Sequence, residues 1–166
     1  LEASIEDLRQ TIAELSRTTR ARFRETFELA NQRFQEFFAE LFRGGQAALK
    51  LSDPSNLMET GVELEARPPG KTVHTMQLLS GGEKALTAIS FLMALFSLRA
   101  TPFCVLDEVD APLDEANLAR FNTMIARMSH RTQFVVITHK QHTMETADRL
   151  FGVTMAEAED RKSTRL

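Results

Sequence analysis

The chain has one cysteine, no tryptophan, no tyrosine and no long apolar run. Cys104, being alone, cannot form an internal disulfide, and a reducing, cytoplasmic setting fits it. No apolar run approaches membrane-spanning length, and no basic-then-apolar segment reads as a secretory signal. The net charge of −3 over 166 residues gives no global basic field, so composition offers no support for DNA binding by this chain alone. Every aromatic residue is one of twelve phenylalanines. The length suits one compact domain with a real core, plus an appendage. Leu1 falls inside a periodic helix pattern, so the chain is expected to be part of something longer.

Residues 1–43 hold no glycine or proline, which predicts one long helix over that span. Leu1, Ile5, Leu8, Ile12 and Leu15 alternate steps of four and three, the spacing of a coiled-coil seam. The spacing returns at Phe23, Phe27, Ala30, Phe34, Phe37 and Leu41, after a polar "SRTTRAR" whose extra four-residue step is a stutter. The Phe-rich half reads as an amphipathic helix lying on its own domain. For the Leu/Ile half two readings stay open, that same one and pairing with a helix outside this chain. Residues 44–166 then form the second unit. Gly44-Gly45 ends the helix, and "AALKL" and "GVELEAR" flank the turn-forming "SDPSN" as an antiparallel pair. A helix is expected from about Glu83 to Leu98, and "PFCVLDE" reads as a strand buried on both faces of a parallel sheet. A helix over 115–128, a second buried strand "TQFVVITH", a short helix near 141–147 and a last strand "RLFGVTM" complete an α/β pattern.

Gly70-Lys71-Thr72 has the ending of a phosphate-binding P-loop, G-x-x-x-x-G-K-[ST]. The first glycine of that motif should stand at 65, which is Glu65, a side chain that repels phosphate. Pro68 and Pro69 occupy positions whose amides should donate, and proline has no N–H. No helix follows directly to aim its N-terminus at an anion. A self-sufficient P-loop enzyme therefore finds little support here.

Three stretches carry candidate chemistry. In "LLSGGEKALTA", Ser80, Gly81 and Gly82 open a helix, leaving amides that point outward and no Cβ to hold a phosphate away. The same residues also read simply as a capped helix, since Ser80 and Glu83 have capping-box spacing. In "FCVLDEVDAPLDEAN", an apolar strand runs into Asp107 and Glu108, at the carboxyl end where open α/β sheets bind ligands. Asp107 is a candidate Mg²⁺ ligand and Glu108 a candidate base for an attacking water, against the alternative of a solvated acidic turn. Asp110, Asp114 and Glu115 bring that run to five carboxylates within nine residues. His139 follows the apolar "FVVIT", where an imidazole can donate to a γ-phosphate or its attacking water, or merely end a strand. No Cys/His cluster has metal-ligand spacing, and no Gly-x-Ser-x-Gly elbow is present.

The order of these stretches decides between the alternatives. S-G-G-E, apolar strand–D-E, D-x-x-L-D and apolar strand–T-H together resemble the C-terminal half of the ATPase head of SMC (structural maintenance of chromosomes) proteins, most like the prokaryotic ones. That head is an ABC-type ATPase, and the likeness runs over about residues 23–155. "LLSGGEKALTA" is similar to the ABC signature motif, "FCVLDEVDAPLDEAN" to Walker B and the D-loop, and "QFVVITHK" to the switch-histidine strand. Glu83 and Val109 stand where ABC transporters carry Gln and Pro, and "PPGK" resembles the family's loop ahead of the signature motif.

The resemblance implies an α/β fold: a C-terminal head lobe, a parallel sheet flanked by helices, preceded by a coiled-coil-stump helix. It further implies that Ser80, Gly81, Gly82, Glu83 and Asp114 bind nucleotide, that Asp107 holds Mg²⁺ through water, and that Glu108 and His139 are catalytic. ATP and Mg²⁺ are the implied substrate and cofactor. The implied partners are the N-terminal half of the same head, a second head across sandwiched ATP, a kleisin-type subunit, and DNA through the full complex. No membrane partner is implied, and the setting is the cytoplasm, at the nucleoid. The family's P-loop lies in the other half, so this chain by itself is expected not to hydrolyse ATP. A non-catalytic docking module is the rival reading, favoured by exposed Phe residues in 23–42 or near the tail. The tail "AEAEDRKSTRL" departs from the family's Gly-Val-Ser pattern, so the kleisin-binding surface is expected to be incomplete.

Overall fold

A computed structural model of the chain describes residues 2–71, 74–99 and 101–153. Helix α1 spans Glu2–Phe42, 41 residues and so about 60 Å long. Its end follows from backbone geometry. Arg43 takes a left-handed φ of 56°, the Gly44 amide donates to Ala39 O at 2.8 Å, and the Arg43 amide donates to Glu40 O at 3.3 Å. These two bonds form a Schellman motif.

The chain then turns back as β1 (Gln46–Leu51) and β2 (Val62–Arg67), antiparallel with Gln46 opposite Arg67 and Leu51 opposite Val62. β3 (His74–Thr75) adds a short third strand on the other side of β2. After a 3₁₀ turn at Met76–Leu78 comes α2 (Gly81–Ser97). β4 (Phe103–Asp107) and β5 (Gln133–Ile137) pair in parallel, joined by α3 (Glu115–Met128), and α4 (Gln141–Glu145) follows.

One buried cluster joins both units. Phe34, Phe37, Phe38 and Leu41 of α1 lie in it with Leu86, Ile89 and Met93 of α2, Leu106 of β4 and Phe121 and Met124 of α3. Phe34 meets Phe91 edge-on at 5.8 Å between centroids, and Phe38 stacks on Phe42 at 4.1 Å. α3 also grips the last turn of α1. Arg120 donates to Leu41 O, and Arg127 pairs with Glu40 at 2.7 Å. The Phe-rich half of α1 thus lies on the lobe, as its period predicts. In the other half Ile5, Leu8, Ile12 and Leu15 are all exposed.

Two expectations are corrected. β4 and β5 are not buried on both faces: Phe103, Val105, Val135 and Ile137 stand exposed on one side, while Cys104 and Leu106 point into the core. Among the described residues nothing covers that side. The last strand is not formed over 149–153, which is irregular, and 154–155 lie outside the described residues. An isolated extended segment gains no stability without a ladder partner.

Candidate active site

Ser80 caps α2 in a complete capping box. Its amide donates to Glu83 Oε2 at 3.0 Å, its hydroxyl donates to the same oxygen at 2.9 Å, and Ser80 Oγ accepts from the Glu83 amide at 3.4 Å. Lys71 Nζ reaches Glu83 Oε1 at 2.7 Å. The Lys71 ammonium, then the Ser80 amide and hydroxyl, hold the Glu83 carboxyl down to about 2. Glu83 therefore braces Ser80 and Lys71 at the helix start.

The same contact disposes of the P-loop-like ending. The Lys71 amide donates to Pro68 O at 3.2 Å, and Gly70 has a φ of 76°, so Pro68–Lys71 is a type II-like turn. Its lysine serves a carboxylate. Thr72, the third residue of that ending, lies outside the described residues.

A Cβ built on Gly81 would meet no atom within 4 Å, and the residue does not have a positive φ. Nothing in the chain itself asks for glycine there; the bare backbone matters only to something arriving from outside. Gly82 backs onto the loop after β4, its hypothetical Cβ 3.4 Å from Pro112 O. The start of α2 and the acidic stretch after β4 are thereby neighbours.

At the end of β4 the side chains diverge. Asp107 is exposed on the same open face as Phe103 and Val105, opposite Ile137 in the register. Glu108 takes a left-handed φ of 49°, which a non-glycine residue adopts only at a cost, and its amide donates to Ile137 O at 2.9 Å. That turn carries its carboxylate toward the end of β5. Glu108 Oε1 lies 4.0 Å from His139 Nδ1, with both side chains about two-thirds exposed. The structure thus brings together Glu108 and His139, residues 31 positions apart in the chain. Asp114 caps α3, accepting from the Asn117 amide at 2.8 Å.

The sequence reading did not single out Asp110 or Thr138. Asp110 is fully buried, and its Oδ2 accepts from the hydroxyls of Thr138 at 2.7 Å and Thr143 at 2.6 Å. Its only signal was membership of the five-carboxylate run, in which nothing marks one carboxylate as inward. For Mg²⁺, Asp107 offers a hard oxygen donor suited to the ion. No group of three or more His, Cys, Asp or Glu with metal-binding geometry occurs among the described residues, so such an ion would need further ligands from substrate and water.

Comparison with known proteins bears on this arrangement. The family described as the RecF/RecN/SMC N terminal domain matches residues 7–162. "Chromosome partition protein Smc" of Desulfitobacterium hafniense (strain Y51) is 54% identical over 158 residues, covering 95% of this chain and 13% of the relative. Among solved structures, the Smc head domain with an extended coiled coil bound to the C-terminal domain of ScpA, from Pyrococcus furiosus, superimposes with a TM-score of 0.81. It is 41% identical and covers 89% of this chain and 37% of that one. A chain from work on ATP-driven dimerization and DNA-stimulated activation of SMC ATPases has a TM-score of 0.77 and 41% identity, covering 83% of this chain and 84% of that one. The chain spans only 13% of the length of the curated relative above.

Proposed function

The chain belongs to the RecF/RecN/SMC N-terminal domain family, and from that premise we propose that it is the C-terminal half of an SMC ATPase head. It supplies the signature motif, Walker B carboxylates, D-loop and switch histidine to an ATP site completed by the N-terminal half and a second head. Hydrolysis there would time head engagement in chromosome condensation and segregation. The observation that carries this reading is the Glu108–His139 pair at 4.0 Å, beside Asp107 at the mouth of an open strand face.

Each residue has a role its geometry permits. Glu108 takes a proton from the attacking water onto a carboxylate oxygen that is already solvent-facing. His139, poised beside it, donates to the γ-phosphate or orients that water. Asp107 would hold Mg²⁺ through water, the ion supplying charge neutralisation between the β- and γ-phosphates. Ser80, Gly81 and Gly82 present the start of α2 to the γ-phosphate of an ATP held by the opposite head. For this the Ser80 hydroxyl must swing from Glu83 to the phosphate, while the Ser80 amide keeps its bond to Glu83. Asp114 holds the start of α3 at the crossing point between heads.

No phosphate cradle has been found in this chain, so it cannot alone align ATP for in-line attack. The test is ATP turnover with Mg²⁺ for the chain alone, then with the separately expressed N-terminal half, with Glu108→Gln as control. Turnover should appear only in the mixture and vanish with Glu108→Gln. Turnover by the chain alone would sink the half-site reading.

A docking role alongside catalysis is favoured by one observation. Ile5, Leu8, Ile12 and Leu15 are exposed in a row, ready for a second helix, whether the returning coiled-coil strand or a kleisin-type subunit such as the ScpA bound to the Pyrococcus head. The phenylalanines at 34, 37 and 38 are buried and unavailable for docking, whereas Phe151, near the tail, is exposed.

A further inference from the structure

Asp110 is the one fully buried carboxyl among the described residues, and none of the steps above uses it. One of its oxygens, Oδ2, takes two hydroxyl hydrogen bonds, while the other, Oδ1, is buried and accepts none. A half-satisfied buried carboxyl costs stability relative to an apolar side chain of similar size. What the arrangement provides in return is geometric. Thr138 Oγ1, while donating to Asp110, accepts from the Lys140 amide at 2.9 Å, so the backbone folds around one hydroxyl with His139 at the apex. Thr143, the second donor, sits in α4, where its amide closes on Lys140 O at 3.1 Å. Asp110 therefore grips both ends of the turn that carries His139.

The grip comes from the segment that also carries Glu108. The Ala111 amide donates to Glu108 O at 3.2 Å, and the Leu113 amide donates to Asp110 O at 3.0 Å, making 108–113 a chain of tight turns. The Glu108 amide meanwhile holds Ile137 O, just before Thr138. We propose that Asp110 is a positioning residue for the Glu108–His139 pair, clasping the turn after β5 to the turn after β4 through Thr138 and Thr143 so that the two catalytic side chains keep their separation. The inference rests on the ATP-hydrolysis reading, which gives the pair its task.

The test uses the head assembled from this chain and its N-terminal half, carrying Asp110→Asn, Thr138→Val or Thr138→Ser. Valine keeps the shape of threonine and removes the hydroxyl; serine keeps the hydroxyl. Asp110→Asn and Thr138→Val should lower kcat by about tenfold or more while KM for ATP stays within about threefold, and Thr138→Ser should restore most of the loss. In the isolated chain, the ring carbon–proton NMR signals of His139 should move or broaden in the first two variants and not in the third. Unchanged kcat, or unmoved His139 signals, would overturn the clasp, and so would kcat and KM deteriorating together with a lowered thermal midpoint. If Asp110→Asn does not fold, the two Thr138 variants decide alone. Glu108→Gln separates this claim from the one beneath it. If Glu108→Gln keeps turning over ATP, the hydrolysis reading fails and the His139 signals still judge the clasp; if it is dead while the Asp110 and Thr138 variants run normally, only the clasp fails.

Discussion

The backbone at Glu108 makes a prediction that contacts alone would not. Its φ of 49° lies in the left-handed region, where an L-residue other than glycine or asparagine costs about 1–2 kcal/mol. Glycine removes that cost but enlarges the entropy of the unfolded chain, returning about 0.5–1 kcal/mol. Glu108→Gly should therefore stabilise the chain by about 0.5–1 kcal/mol. At this size that raises Tm by roughly 1–4 °C. Glu108→Gln keeps the Cβ and the strain, and an exposed side chain changed this way should alter stability by less than about 0.5 kcal/mol. The amide bond to Ile137 O survives in both variants, so the pair differs in backbone cost alone. Urea unfolding followed by circular dichroism gives the stabilities, and ATP turnover by the assembled head gives the activities. Both variants should be inactive, and only the glycine variant stabler than the parent. A glycine variant no stabler than the glutamine one would refute the stored strain, and turnover by either would refute the role of the carboxylate.

Two other perturbations test the surroundings of the site. Lys71→Ala should leave nucleotide binding by the assembled head unchanged and weaken the start of α2 by no more than about 1 kcal/mol, since Lys71 is half exposed; lost nucleotide binding by isothermal titration would reinstate Gly70-Lys71-Thr72 as a phosphate site. The Glu83 carboxyl sits at about 2 against an ordinary 4.5, a depressed value, so its contribution is fully present above pH 4.5 and is lost as pH falls from there toward 2. Acid titration of stability should show that loss in the parent and a smaller one in Lys71→Ala. Val105→Asp and Val135→Glu, on the open face, should leave the chain folded and more soluble while weakening its binding to the N-terminal half by tenfold or more, on the order of 1 kcal/mol of lost apolar burial plus the cost of an interfacial charge. Unchanged affinity in a pull-down titration would mean that the complement docks elsewhere.

Much of the fold was legible because each element is bracketed by residues with one local use. The glycine- and proline-free run up to Arg43, the turn "SDPSN", and Ser80 and Asp114 as caps mark boundaries by chemistry that acts within four residues. Phe38 was missed for an equally local reason. A seam read at steps of three and four selects 34, 37 and 41, while a helix lying on a wide core buries 38 as well. Burial of the parallel strands was misread because an apolar run reports what both faces would tolerate and not what covers them. Asp110 was beyond reach on other grounds. Five neighbouring carboxylates look like a solvated turn, and which one faces inward depends on Thr138 and Thr143, some thirty residues on, whose hydroxyls only the fold brings near.

The open face and the candidate site are one feature of the molecule. β4 and β5 run in register with Val105 opposite Val135 and Asp107 opposite Ile137, so the exposed apolar ladder ends at Asp107 on the same side. A partner layer that buries Phe103, Val105, Val135 and Ile137 to remove them from water must arrive directly beside Asp107 and, one residue on, Glu108. Covering the face and completing the site are thus a single event. The dry, low-dielectric surroundings that strengthen charge stabilisation in phosphoryl transfer exist only once that layer is seated. The same dependence explains how two solvent-exposed side chains, Glu108 and His139, can be held 4.0 Å apart without chemistry: in water the pair is weak and its turn is strained, and both become useful when the covering half brings nucleotide and expels solvent together.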